Sequence, residues 1–178
     1  MKTSRMIFPL PLLAVSLLAQ DVRYNFASGV DFAKFKTYKW VQIPGAEKLD
    51  QLTDQQLKDA IDTELAKKGL MKTTGDNADL LLAYQVSVNH EQQITMFNNG
   101  WGYGWYGYGG GITTATTSTI AIGQVDLDMY DQADRKLIWR GTASKTLNPK
   151  ASPEKRQKNL AKGAAKLLKN YPPPVKKG

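Results

Sequence analysis

Residues 79–90 read Asp-Leu-Leu-Leu-Ala-Tyr-Gln-Val-Ser-Val-Asn-His. The run Leu80–Ala83 is apolar without interruption, after which Tyr84, Val86 and Val88 alternate with polar residues. Continuous apolarity marks a strand covered on both faces, and alternation marks one covered on a single face. A central strand is therefore expected here, and the flanking segments must supply its neighbours and its cover.

Upstream, Val22, Tyr24 and Phe26 alternate with Arg23 and Asn25, the pattern of a half-buried strand. Asp31-Phe32 and Phe35-Lys36-Thr37-Tyr38-Lys39-Trp40 lead into a second strand, which Pro44-Gly45 ends. A helix is expected over residues 53–69. Thr53 with Gln56 fits a capping box, Leu57, Ala60, Ile61 and Leu65 share one face, and Gly69 supplies a left-handed stop. Leu70-Met71-Lys72 follows as a short strand.

Downstream, Thr113–Thr119 suits either a strand or an extended linker. Val125, Leu127 and Met129 alternate with Asp126 and Asp128, then Leu137, Trp139 and Gly141 with Ile138 and Arg140. A loop at residues 131–135 would set Met129 opposite Leu137, Leu127 opposite Trp139 and Asp126 opposite Arg140. A second helix is expected from Pro153 to about Asn170, capped by Ser152, with a buried stripe of Leu160, Ala164, Leu167, Leu168 and Tyr171. These elements predict an α+β domain of two layers, a mixed or antiparallel sheet with both helices packed on one face.

Lys2 and Arg5 precede a mostly apolar stretch, Met6–Leu18, and then Ala19, the layout of a secretory signal peptide over residues 1–19. One domain over residues 20–171 and a disordered tail over 172–178 are expected to follow, with no transmembrane span after the leader. Leu17-Leu18-Ala19-Gln20 is a lipobox with Gln20 in the place of the lipid-accepting cysteine. The 178-residue chain contains no cysteine, so a thioether-linked lipid, disulfides and thiolate chemistry are excluded. An exported, periplasmic or envelope-associated, unlipidated protein is the expectation. The net charge of +8 falls to +6 once Lys2 and Arg5 are removed, with the excess toward the C-terminus. Such a balance suits acidic envelope surfaces, and no motif points to nucleic acid.

The order of Asp31-Phe32, Phe35–Trp40, Ala60–Leu65 ending in Lys68-Gly69, Ala78–Leu81, a Trp/Tyr/Gly loop, Leu137–Ala143 and a closing basic helix before prolines resembles the DUF4136 family of bacterial envelope proteins. The resemblance spans nearly the whole mature chain. Its members are usually predicted lipoproteins of unknown function, so it implies an envelope location and carries over no catalytic residues. Gln20 departs from the lipidated pattern and favours a soluble form.

Residues 100–111 are all glycine or large aromatics. Trp101, Tyr103, Trp105, Tyr106 and Tyr108 are the candidate binding residues of this insertion at about residues 96–112. Their rings suit sugar stacking, a membrane interface or a protein partner, and they equally suit a loop tip resting on the domain. Lys155, Arg156, Lys158, Lys162, Lys166 and Lys169 form a basic helix face for an anionic surface, or simply a solvated one. His90, the only histidine, reads as a strand-end polar residue. Asp126 and Asp128 read as solvent-facing strand residues, and Asp131 and Asp134 as turn residues, without the spacing of a calcium loop. No cofactor, metal or catalytic set is expected. The expectation is a non-enzymatic interaction or structural module with an envelope partner of protein, glycan or lipid. The alternative is a hydrolase acting on envelope polymers, which would need His90, Glu91 and Asp126 to meet in a cleft.

Overall fold

The computed structural model describes residues 21–47, 49–98 and 113–174. The expected leader, residues 1–19, therefore lies outside the described residues, as does the segment from Trp101 to Tyr108.

One six-stranded sheet carries the fold. Its strands are β1 (Asp21–Phe26), β2 (Thr37–Trp40), β3 (Met71–Lys72), β4 (Leu80–Asn98), β5 (Thr113–Asp131) and β6 (Leu137–Thr146), in the order β1-β6-β5-β4-β2-β3. Strands β1, β6, β5 and β4 pair antiparallel, whereas β2 runs parallel to both β4 and β3. The two helices, α1 (Gln51–Lys67) and α2 (Pro153–Leu167), share one core cluster with the sheet. The fold is thus the expected α+β class, with a mixed sheet. Strand β4 sits between β2 and β5, and Leu80, Leu81, Leu82 and Ala83 are all buried. Residues alternate across a strand, so Leu80 and Leu82 enter the core with the helices while Leu81 and Ala83 lie on the opposite face. The segment Thr113–Thr119 is strand throughout, part of a β5 that pairs with β4 from Asp131 to Thr113.

The β5–β6 hairpin differs from its expected register by two residues. Met129 faces Trp139, Leu127 faces Gly141, and it is Asp128, not Asp126, that faces Arg140. The slip comes in two steps. The turn closes with the Asp131 amide on the Lys136 carbonyl, so Tyr130 pairs with Leu137 instead of Lys136, and Met129 then pairs with Trp139, which leaves Ile138 as an extra, bulged residue on β6. Two residues opposite one break the alternation locally. Ile138 and Trp139 are accordingly both buried, and Leu137, expected inside, is 40% exposed. Gly141 sits where β6 passes beneath α2: a Cβ there would collide with the Trp139 ring and lie 2.8 Å from Leu167 Cδ1.

Helix α1 is capped by Asp50 rather than Thr53. The Asp50 carboxylate accepts from the Thr53 amide at 3.0 Å, so the helix starts earlier than the capping box implied. Ser152 caps α2 as expected, accepting from the Lys155 amide at 3.3 Å, with Pro153 in the first turn. Leu57, Ile61 and Leu65 of α1 and Ala164 and Leu167 of α2 are buried, joined by Leu168 and Tyr171 just past the end of α2. The Tyr171 ring meets Trp139 and Phe32 edge to face, with centroids 5.6 and 5.9 Å away. Trp139 Nε1 and the Tyr171 hydroxyl are buried with no hydrogen-bond partner among the described residues. Pro173 is buried too, so packing continues past Tyr171, where the tail was expected to begin. No described helix is long and apolar enough to cross a membrane.

Candidate functional site

Strands β4 and β5 outrun the rest of the sheet. Strand β6 ends where Thr146 pairs with Ile122, β2 ends where Trp40 pairs with Leu82, and a last bond joins the Leu147 amide to the Ala121 carbonyl. From Glu91 paired with Ile120 to Asn98 paired with Thr113, the two strands continue alone. At roughly 3.3 Å per residue, this two-stranded ribbon extends about 25 Å. Residues 99–112 join its far ends, so the ribbon is what carries Trp101, Tyr103, Trp105, Tyr106 and Tyr108.

The acidic group around the hairpin separates into four local arrangements. Asp128 was expected to face solvent and is instead wholly buried. Arg140 lies over it, donating through Nε at 2.5 Å and Nη2 at 2.6 Å, and the Tyr130 hydroxyl donates at 3.3 Å. The bonds to Asp128 push the Arg140 pKa upward, and burial raises that of Tyr130. Asp126 accepts from the Thr142 hydroxyl and from Gln124 Nε2, at 2.5 and 3.0 Å. Asp131 pairs with Lys34 and Asp134 with Lys136, both at 3.0 Å. Among the described residues no three metal-ligating side chains come together.

His90 and Glu91 are exposed on the ribbon and, being consecutive, point to opposite faces. Asp126 pairs with Gln85, five residues back along β4 and roughly 17 Å away. The three groups required by the hydrolase alternative do not converge.

Lys155, Lys158, Lys162 and Lys166 recur at intervals of three and four and so form a single stripe along α2, with Lys169 in the turn just past its end. They and Arg156 are exposed, and none takes part in an ion pair among the described residues. Glu154, in the first turn, is the only acid on this helix.

Two features were not anticipated. Asp62 of α1 ties that helix to the β2–β3 edge, accepting from the Tyr38 hydroxyl at 2.7 Å, Trp40 Nε1 at 2.8 Å and Lys72 Nζ at 2.8 Å. The second is a cleft of about 490 Å³ between α1, α2 and the inner face of the sheet, where the ribbon leaves the body. Leu57, Val86, Val88, Val125 and Leu160 line it, with Lys145, Arg156 and Asn159 among its polar residues. Val86 and Val88 continue the inner-face alternation of β4 beyond the reach of the helix stripes. That unmatched alternation was the one sequence signal for the cleft.

This architecture defines a two-layer α+β domain with one mixed sheet, two helices on one face and a projecting two-stranded ribbon. The family model described as "Domain of unknown function (DUF4136)" matches residues 22–173, and the chain belongs to that family. No curated protein matches it. Among solved structures it is similar to a PDZ domain protein from Parabacteroides distasonis, at 18% identity and a TM-score of 0.55. That match covers 88% of this chain and 37% of the other, so the chain spans little more than a third of that protein. It is also similar to the PelC dodecamer from Paraburkholderia phytofirmans, at 12% identity and a TM-score of 0.50, covering 84% of this chain and 95% of the other. At such identities the likeness is one of fold.

Proposed function

We propose that this domain is a non-enzymatic contact module of an exported, unlipidated envelope protein, and that it meets its partner through the Gly/aromatic segment 99–112. The observation that carries this reading is the ribbon. Pairing between β4 and β5 persists to Asn98 and Thr113, well past the last cover from β6, so the aromatic segment is attached away from the packed body. Tryptophan and tyrosine at such a position offer large contact area with a polar tip. The test is a pull-down from envelope extract with intact protein and with Trp101, Tyr103 and Trp105 replaced by serine. Loss of the captured material at an unchanged melting temperature is expected. An unchanged capture profile removes the proposal.

The lysine stripe of α2 favours a second reading, association with an anionic membrane surface. Five lysines that join no ion pair among the described residues would attract anionic headgroups, and the attraction would weaken with salt. Co-sedimentation with anionic but not zwitterionic vesicles, reversed by added salt, is the expected result. Binding indifferent to lipid charge would reject it.

A further inference from the structure

The cleft beside α2 combines apolar walls with cations that join no ion pair among the described residues. Its walls are aliphatic: Leu57 from α1, Leu160 from α2, and Val86, Val88 and Val125 from the sheet. Its volume of about 490 Å³ lies within the roughly 300–1,000 Å³ of small-molecule sites. Lys145 stands on the inner face of β6, where strand alternation would otherwise place an apolar residue. Its Nζ donates to Asn159 Oδ1 at 2.8 Å, and among the described residues it joins no ion pair. Partial burial lowers its pKa, and the neighbouring charges that act on it are all lysines: Lys162, Lys155 and Lys166. Arg156 adds a second cation to the same cleft, also without an ion-pair partner among the described residues. A half-buried cation set among other cations gains from an anion that brings its own apolar body.

We infer that the cleft binds a single-chain anionic amphiphile of the fatty-acid type, its alkyl chain between α1, α2 and the sheet and its carboxylate on Lys145, Asn159 and Arg156. A carboxylate presents two acceptor oxygens and one negative charge, which suits an ammonium and an amide with a guanidinium close by. The small size of the cleft favours a chain-like small molecule over a protein partner, since standard protein interfaces bury about 800 Å² on each side. The inference is independent of the contact role of residues 99–112.

Titration calorimetry of the whole mature protein with dodecanoate, held below its micellar concentration, tests it. Saturable binding of one dodecanoate per chain is expected, with dodecanol weaker and dodecyltrimethylammonium without measurable binding. Lys145→Met should weaken dodecanoate by about tenfold or more and leave dodecanol unchanged. Val88→Trp, at a position 50% exposed and therefore compatible with folding, should weaken both by filling the cleft. The inference is overturned if the cationic chain binds as tightly as dodecanoate, if Lys145→Met changes nothing, or if no chain binds. Concentration-dependent dimerisation abolished by Val88→Trp would assign the cleft to a second copy and would equally overturn it.

Discussion

The two ends of the β4–β5 pair share one continuous ladder and lie in opposite surroundings. At one end, Leu80, Leu82, Leu127 and Met129 are wholly buried beneath both helices, with Leu81, Ala83 and Asp128 covered on the other face. Toward the other end Val88 is 50% exposed, and His90 and Glu91 are exposed on a ribbon with no third strand beside it. The β4–β5 ladder is continuous along the whole length, so it cannot be what distinguishes the ends. Flanking strands and side-chain cover do: at the packed end β4 also bonds β2 and β5 also bonds β6. A two-stranded ribbon is marginal in isolation, and this one persists because its base is an extension of a packed sheet. Stability belongs to one end and accessible contact surface to the other.

The sharpest way to break that contrast is a matched pair of truncations in one strand. Leu82→Ala should cost about 2–5 kcal/mol, whereas Val88→Ala should stay within about 0.5 kcal/mol, both read by urea unfolding. Comparable losses would show that the ribbon shares the core's cooperativity. Next in size is the ion pair on the face away from the helices. Arg140→Met leaves the Asp128 carboxylate buried beside only the Tyr130 hydroxyl and should cost about 2–3 kcal/mol, tempered because the Arg140 side chain is itself 46% exposed. Adding Asp128→Asn to that variant should recover part of the loss, and a double-mutant cycle measures the coupling.

A third test concerns the junction of β2 with β4. The Asp79 carboxylate accepts from the Lys36 and Thr37 amides, both at 2.8 Å, and from the Thr37 hydroxyl at 3.0 Å. The Lys36 amide bond leads the effects that hold its pKa below the ordinary carboxylate range. A carboxyl with a lowered folded pKa contributes stability above its unfolded value, about 3.9, and loses it as pH falls through the folded one. Asp79→Asn should therefore cost about 1–2 kcal/mol at neutral pH, and the gap from the parent should narrow as the pH falls below about 4. A pH-independent difference would refute the electrostatic account. The smallest expected effect is a gain. The Tyr171 hydroxyl is buried without a partner among the described residues, so Tyr171→Phe should raise stability by up to about 1 kcal/mol, visible as a higher melting temperature.

The packed end was legible because its signals are local. Leu80–Ala83 announced a strand covered twice, and the stripe from Ala164 to Tyr171 announced which side of α2 turns inward. The hairpin slip was not legible, since alternation fixes which face a residue takes but reveals neither the residue at which the turn closes nor a single extra residue such as Ile138. Asp128 was misread for a related reason. Alternation placed it correctly on the face away from the helices, but its cover is supplied by a long Arg140 side chain from the next strand, a contact set by register. Asp50 and Thr53 both fit a helix start, and only the fold decides between them. The cleft was hidden because it is a gap between elements, visible in sequence only as valines continuing where no helix stripe remains. The four aspartates around the hairpin, read from sequence as strand and turn residues, each have a separate partner: Arg140 for Asp128, Thr142 and Gln124 for Asp126, Lys34 for Asp131 and Lys136 for Asp134.

Strand β1 has a consequence for the order of assembly. Among the described strands it comes first, yet its only partner there is the last: Asp21 lies opposite Ser144 and Phe26 opposite Trp139. The sheet therefore cannot complete its β1 edge until almost the entire polypeptide is present. Sequence-distant pairing of this kind slows folding, because a long loop must close before any contact repays it. Until then Val22, Tyr24 and Phe26 have no strand to pair with, so β1 joins the sheet only after β6 has formed.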